Sequence, residues 1–232
     1  MKNILLIGGS YGIGNELAKL LSQDCNVFVA SRTSEKLSGL KVTHIPFDAA
    51  EDTLNPSQLP AVIDGFVYCP GSINLRPFRG LKLETFESDM QINFFSMVRI
   101  IQNVLPQLTA SENPAIVLFS SVAVSKGMPF HTSVAAAKGA IEGFAKALAA
   151  EYAPKIRVNV IAPSLTDTPL AEKFLSNDEK KEKSALLHPL KRIGSTNDIA
   201  QMASFLLSDK SSWISGQIIH VDGGMSTLSV AI

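Results

Sequence analysis

The chain has 232 residues, with 21 Lys+Arg against 21 Asp+Glu and no net charge when histidine is neutral. At 46% hydrophobic and 18% charged residues it is too apolar for a disordered chain, and its balanced charge carries no nucleic-acid or acidic-membrane footprint. No apolar run approaches the roughly 18 residues of a membrane helix, the apolar stretch after Met1-Lys2-Asn3 is too short for a secretory signal, and two cysteines, Cys25 and Cys69, give neither a disulfide framework nor metal-ligand spacing. The expectation is a cytoplasmic protein with reduced thiols, a small-molecule substrate, and no metal, membrane or nucleic-acid partner.

In chain order, Ile4–Ile7 is a short apolar run ahead of glycines and reads as a buried strand. Ile13, Leu17, Leu20 and Leu21 then recur on one face of a helix. Further strands are expected at 27–30, 42–45, 65–69, 116–119, 157–161 and 217–221, with long helices near 88–108, 133–152 and 196–208. The strands are continuously apolar, as in a sheet covered on both faces. Their alternation with helices predicts right-handed crossovers and one α/β domain over 1–232, a doubly wound, Rossmann-type parallel sheet of seven strands. Pro56 and Pro60 interrupt the third crossover, so its helix is short or absent. The polar run 176–183 reads as a solvated helix face, in a segment (168–193) placed to form a small substrate lid.

Gly8-Gly9-Ser10-Tyr11-Gly12-Ile13-Gly14 joins the first strand to the first helix. A glycine-rich turn there lets the backbone approach a pyrophosphate, and the helix N-terminus behind it offers free N–H groups and a positive dipole end. The second strand ends in Ser31-Arg32, with no carboxylate before Glu35. NAD sites place an acid at that point for the ribose 2′-hydroxyl; a hydroxyl and a guanidinium suit a 2′-phosphate, so NADP is expected over NAD. Asp48 stands where a carboxylate accepts from the adenine amino group or serves a turn.

With these motifs the sequence resembles the short-chain dehydrogenase/reductase family over essentially its whole length. Gly8-x-x-x-Gly12-x-Gly14 matches the family's glycine motif; Tyr68-Cys69-Pro70-Gly71 stands where Asn-Asn-Ala-Gly is usual; Asn93 matches a helical Asn; Phe119-Ser120-Ser121 matches the catalytic-Ser strand end; Ala162-Pro163-Ser164-Leu165-Thr166-Asp167-Thr168 matches the Pro-Gly segment around the nicotinamide, with Ser164 for Gly; and 215–224 matches the last strand. The resemblance implies catalytic Ser121, Lys138 and Asn93, with Asn93 supporting Lys138 through the backbone and water. It also implies cofactor contacts from Gly71, Lys138, Pro163, Thr166 and Thr168, and a homodimer or homotetramer joined through the helices near 93–108 and 133–152.

The family's Tyr-x-x-x-Lys motif keeps Lys138 at its spacing, but Val134 occupies the tyrosine position. A carbonyl reduced by hydride needs a proton, which the family's phenol supplies and valine does not. His131, seven residues before Lys138, falls where enoyl-thioester reductases of the family keep their phenol, and imidazole exchanges protons near neutral pH. The expectation is a hydride-transferring oxidoreductase of small carbonyls or alcohols with His131 or water as proton source; the alternatives are an enoyl- or dienoyl-thioester reductase and a non-catalytic NADP-binding sensor. Thr132 or Ser133 is expected to cap the following helix, His188 to sit on an exposed loop, His220 to lie away from the site, His44 to be structural, and Trp213 to serve the core or a subunit contact.

Overall fold

The computed structural model describes residues 1–229. Seven strands, β1 (Asn3–Ile7), β2 (Asn26–Ser31), β3 (Val42–Pro46), β4 (Gly65–Tyr68), β5 (Ala115–Phe119), β6 (Arg157–Pro163) and β7 (Ile218–Val221), form one sheet in the order β3-β2-β1-β4-β5-β6-β7. Every neighbouring pair is parallel. The order reverses between β1 and β4, so the crevice at their carboxyl ends is the topological switch point.

Alternation along the strands divides the core. Leu5 and Ile7 face one layer, built from α3 (Ser96–Ala110) and α5 (Thr132–Tyr152) through Met97, Ile100, Ile101, Val104, Ile141 and Ala145. Ile4 and Leu6 face the other, built from α1 (Gly12–Leu21) and α7 (Thr196–Leu207) through Leu17, Ala18, Ile199, Ala203 and Leu206. A Ser195–Asp198 capping box starts α7, each residue satisfying the other's backbone N–H.

The third crossover holds only a short turn at Pro56–Gln58. The expected helix near 88–108 is longer and compound: α2 (Leu83–Met90) passes through a π-helical turn at Gln91–Phe95 into α3. The wider turn carries Asn93 into the interior. The remaining helices are α4 (Val122–Ser125) and α6 (Asp178–Leu186), the latter with no buried residue. No helix among the described residues is long and apolar enough to cross a membrane, and no cluster of metal-ligating side chains occurs among them.

Two expectations need correction here and a third is narrowed. Trp213 is 97% exposed, following the turn at Asp209–Ser211 beyond α7, so it is not core and the subunit-contact alternative is what is left of that expectation. His188 is 1% exposed and belongs to the interior. His131, not Thr132 or Ser133, is the N-cap residue of α5, and it makes no side-chain cap; Ser133 turns inward instead.

Phe66 is fully buried on the central strand β4. Phe66→Ala should therefore cost about 3–5 kcal/mol of stability in urea unfolding, whereas Trp213→Ala should shift it by less than about 0.5 kcal/mol.

Candidate active site

Two adjoining hollows occupy the carboxyl edge of the sheet. The first is a groove of about 970 Å³ running from the glycine turn past the ends of β2 and β3. Gly8 and Gly12 have φ of 78° and 55°, left-handed values that a side chain would strain. A Cβ on Gly14 would stand 2.5 Å from Gly8 O, so this glycine is what allows α1 to start against the turn. Tyr11 precedes α1 without capping it, which leaves the first N–H groups of the helix free for an anion. Ser10 is buried beneath the turn and accepts from Thr33 Oγ1 at 3.1 Å; Ile13 lines both hollows. Lys36 Nζ lies 5.1 Å from the centre of the Tyr11 ring.

At the end of β2 the two sequence-selected residues part company. Arg32 has a side chain 78% exposed on the groove, only 4.0 Å from Asp48 Oδ2, and free to swing toward a ligand. Ser31 is buried; its hydroxyl donates to Thr33 O at 2.8 Å, with His44 Nε2 packed 3.0 Å from Ser31 O. Ser31 thus shapes the loop while also lining the groove. Thr33, directly after Arg32, lines the same groove, with its hydroxyl donating to Ser10 Oγ. Asp48 accepts from Ala50 N at 2.9 Å, which makes it a turn former as well as a groove residue. The free helix end, the close-approach glycines and the exposed guanidinium fit a dinucleotide phosphate chain.

The second hollow, about 530 Å³, opens from the first through Cys69, Gly71, Thr168 and Leu170. Ile73, Leu75, Met128, Phe174, Leu187 and Met225 make most of it apolar. Val134 is buried in its wall and has no proton to give. Ser121, at the end of β5, accepts from Ala123 N at 3.2 Å and starts α4, an arrangement that leaves its O–H to point into the space. Ser120 beside it is committed to Glu142 Oε1 at 2.5 Å.

Lys138 Nζ donates to Phe119 O at 3.0 Å. Loss of solvent brings its pKa down to about 8, with the Cys69 thiol and the Asp89 carboxylate pulling the other way. Burial likewise pushes the Cys69 thiol up to about 12, which makes it an unreactive lining group. A Cβ on Gly71 would lie 2.9 Å from Asn93 Oδ1 and 3.4 Å from Lys138 Nζ, so the glycine admits both polar groups to one spot. Asn93 donates to Asp89 O at 2.9 Å and to Ser72 Oγ at 3.0 Å, while its Oδ1 is buried with no partner in the protein. Tyr68, on the strand end, gives its hydroxyl to Ile92 O at 2.6 Å and is structural.

Thr166 and Thr168 line the hollow beyond β6, and Pro163 ends that strand. Thr166 is tied by a parallel bridge to Gly194, which holds the end of the 168–193 segment beside the end of β6. His131 sits half-exposed at the mouth, its Nδ1 held by Pro129 O at 2.7 Å. His220 bonds Ser125 at 2.9 Å and does not line the space.

A buried carboxylate that the sequence did not single out organises this edge. Asp89 Oδ1 accepts from Ser72 at 2.5 Å and Asn74 at 2.7 Å, and its Oδ2 accepts from Ser133 at 2.6 Å. Its only sequence signal was an acid on the inward face of an otherwise amphipathic helix.

Fold and site define a doubly wound protein of the dinucleotide-binding type, with a second, largely apolar hollow beside the groove. A family model described as enoyl-(acyl carrier protein) reductase matches residues 56–226. The 3-oxoacyl-[acyl-carrier-protein] reductase FabG of Chlamydia trachomatis is 33% identical over 243 aligned residues, spanning 97% of each chain. A short-chain type dehydrogenase/reductase from Mycobacterium ulcerans matches with TM-score 0.85 and 26% identity, over 97% of this chain and 90% of that one. ElxO with NADP bound shares the fold, at TM-score 0.86 and 24% identity over 98% and 99% of the two chains. The chain belongs to the short-chain dehydrogenase/reductase family and is an oxidoreductase of that type.

Replacing Asp89 by Ala would leave the buried Ser133 and the half-buried Ser72 and Asn74 without their acceptor. It should cost about 3 kcal/mol of stability, read as a lowered urea midpoint.

Proposed function

We propose that the protein is an NADP(H)-dependent oxidoreductase that transfers hydride to or from an apolar carbonyl or alcohol substrate. One observation carries this reading: the Ser121 hydroxyl and the Lys138 ammonium line an apolar hollow that opens directly from a groove fitted to a dinucleotide. Bound NADPH supplies the hydride. Around it, Gly8, Ser10, Tyr11, Gly12, Ile13 and Gly14 hold the pyrophosphate, Arg32 the 2′-phosphate, and Gly71, Pro163, Thr166 and Thr168 the nicotinamide half. Ser121 polarises the substrate oxygen, and Lys138 holds the nicotinamide ribose. Asn93, with its one unpartnered oxygen next to Gly71, keeps that corner polar. The preference for NADP rests on Arg32 and the missing carboxylate, and it accords with the NADP named for ElxO.

Residues 168–193 are proposed as the substrate lid, since the turn at Pro169–Phe174 and the exposed α6 roof the hollow. A homodimer or homotetramer through α3 and α5 is proposed from the aromatic group Phe94, Phe95 and Phe144, where Phe95 remains exposed outside the core. Two unbridged cysteines suit a cytoplasmic setting. An enoyl- or dienoyl-thioester substrate is the second reading, favoured by Val134 in the wall and His131 at the mouth.

The test is NADPH oxidation with 3-oxobutanoyl-CoA, trans-2-butenoyl-CoA and an apolar cyclic ketone. Turnover is expected, with NADPH bound about ten- to a hundredfold more tightly than NADH; Arg32→Ala should erase the difference by removing a contact worth about 1.5–3 kcal/mol. Equal affinities in a fluorescence titration would refute the NADP assignment, and NADPH binding with no turnover of any substrate would make the protein a cofactor sensor.

The lowered pKa of Lys138 has a direction that can be checked. Burial disfavours the ammonium, so its charge is complete well below pH 8 and is lost as the pH rises through about 8. NADPH affinity should fall across that window in titrations followed by NADPH fluorescence, and Lys138→Met should bind weakly with no such dependence.

A further inference from the structure

His188 and Ser164 form a pair in the wall of the substrate hollow. His188 Nε2 lies 2.9 Å from Ser164 Oγ, and His188 Nδ1 lies 2.8 Å from the carbonyl oxygen of Ser184. Both residues, and Ser184, line the same hollow as Ser121, Val134 and Lys138. β5 and β6 are neighbours in register, Phe119 opposite Ile161, so Ser121 and Ser164 project from adjacent strand ends. The imidazole is enclosed: Gly223 packs against it, where a Cβ would stand 3.6 Å from the His188 ring, and the Leu190 amide anchors the segment to Gly223 O at 3.2 Å.

This geometry assigns protons. A carbonyl only accepts, so Nδ1 carries a hydrogen and donates to Ser184 O. The neutral ring therefore presents the Nε2 lone pair to Ser164, whose O–H donates to it. The protonated ring donates from Nε2 to Ser164 Oγ and turns the serine O–H outward into the hollow. Among the described residues, the charged groups sharing the hollow are Lys138, Lys173 and Lys180, and no carboxylate lines it. Asp222, beside Gly223, is taken up by the amides of Gly224 and Ser226 at 2.9 Å each.

We propose that Ser164 and His188 are the proton relay that stands in for the phenol absent at Val134, with Ser164 touching the substrate oxygen and His188 acting through it. This rests on the oxidoreductase reading above. In reduction, a hydride reaches the carbonyl carbon from the reduced nicotinamide, which leaves oxidised. The C=O π pair moves to oxygen, which takes the Ser164 Oγ proton as Ser164 takes the Nε2 proton of the imidazolium. The products are the alcohol and neutral His188, and water in the hollow returns the proton between turnovers. Alcohol oxidation runs the same transfers backwards. The two hydrogen bonds of the ring explain why a polar side chain stands at position 164: without it, Nε2 would face an apolar wall unpartnered.

The experiment has two arms on the full chain. In ¹⁵N NMR of the ring nitrogens, His188 is expected as the Nδ1–H tautomer when neutral, with the Nε2 signal moving in Ser164→Ala; an Nε2–H tautomer overturns the proposal. In turnover of 3-oxobutanoyl-CoA with NADPH, Ser164→Ala and His188→Gln should each lower kcat by about a hundredfold with NADPH affinity kept. Ser164→Thr, which retains the hydroxyl, should recover part of the loss. A proton inventory in H₂O/D₂O mixtures should be bowed for the wild-type chain, as for two protons in flight, and linear for Ser164→Ala. Wild-type turnover that neither variant lowers overturns the relay alone and returns the role to His131 or solvent. An intact NMR signature with no wild-type turnover of this or the other two substrates overturns the oxidoreductase reading, and the relay with it.

Discussion

Asp89 has no solvent exposure, and its two oxygens accept hydrogen bonds from side chains on two other segments. Ser72 and Asn74 belong to the chain leaving β4; Ser133 belongs to the first turn of α5; Asp89 itself is on α2, one residue before its end. A buried carboxylate is tolerable only when its lone pairs are filled, and here filling them pins three segments together beside Lys138. Charge-assisted hydrogen bonds of this kind are stronger and more directional than apolar contact. They give this corner of the sheet edge a single arrangement, which the surrounding apolar packing alone would not specify.

From that anchor the rest of the site follows. The π-helical turn just beyond Asp89 carries Asn93 inward, where it bonds back to Asp89 O and to Ser72. Gly71 is thereby required to lack a side chain, and Lys138 is brought to the same spot from α5. The ammonium is left with one carbonyl partner, Phe119 O, at the end of the neighbouring strand. Strand ends of β4, β5 and β6, the loop after β4 and the start of α5 are in this way tied to one another at the switch side of the sheet.

The two hollows differ in what surrounds them. The cofactor groove is built from backbone: free helix N–H groups, left-handed glycines and a strand end that stops in a short turn. The substrate hollow is built from side chains, apolar over most of its wall and polar at Ser121, Lys138 and the Ser164–His188 pair. Backbone geometry is set by the fold that all relatives share. Side-chain walls are set position by position, which is why a valine at 134 and a serine at 164 leave the architecture intact and change only what the hollow offers a substrate.

The sequence by itself determined the parts that depend on local order. Periodicity and continuous apolar runs placed seven strands within a few residues of their observed ends, and the turn Gly8–Gly14 announced a phosphate cradle because a strand precedes it and a helix follows. The prolines at 56 and 60 correctly forbade a third crossover helix. The resemblance to the family's motifs also implied Ser121, Lys138 and the missing tyrosine. Tertiary structure decided whatever depends on which side chains meet across the sheet edge. Asp89 was not singled out, yet it is a fully buried hub, since its donors come from the loop after β4 and the start of α5, which only the fold brings to α2. His188 looked like a loop residue, yet Ser164, 24 positions away, and the turn at Gly223 enclose it. Ser31 was read beside Arg32 as a groove residue, and the bond of its hydroxyl to Thr33 O, two residues on, is seen only in the folded loop. Trp213 was read as core or subunit contact, and no layer of this chain reaches it. A hydrogen bond between distant segments leaves no periodic trace along the chain, so the polar wiring of the site became visible only once the strands were laid side by side.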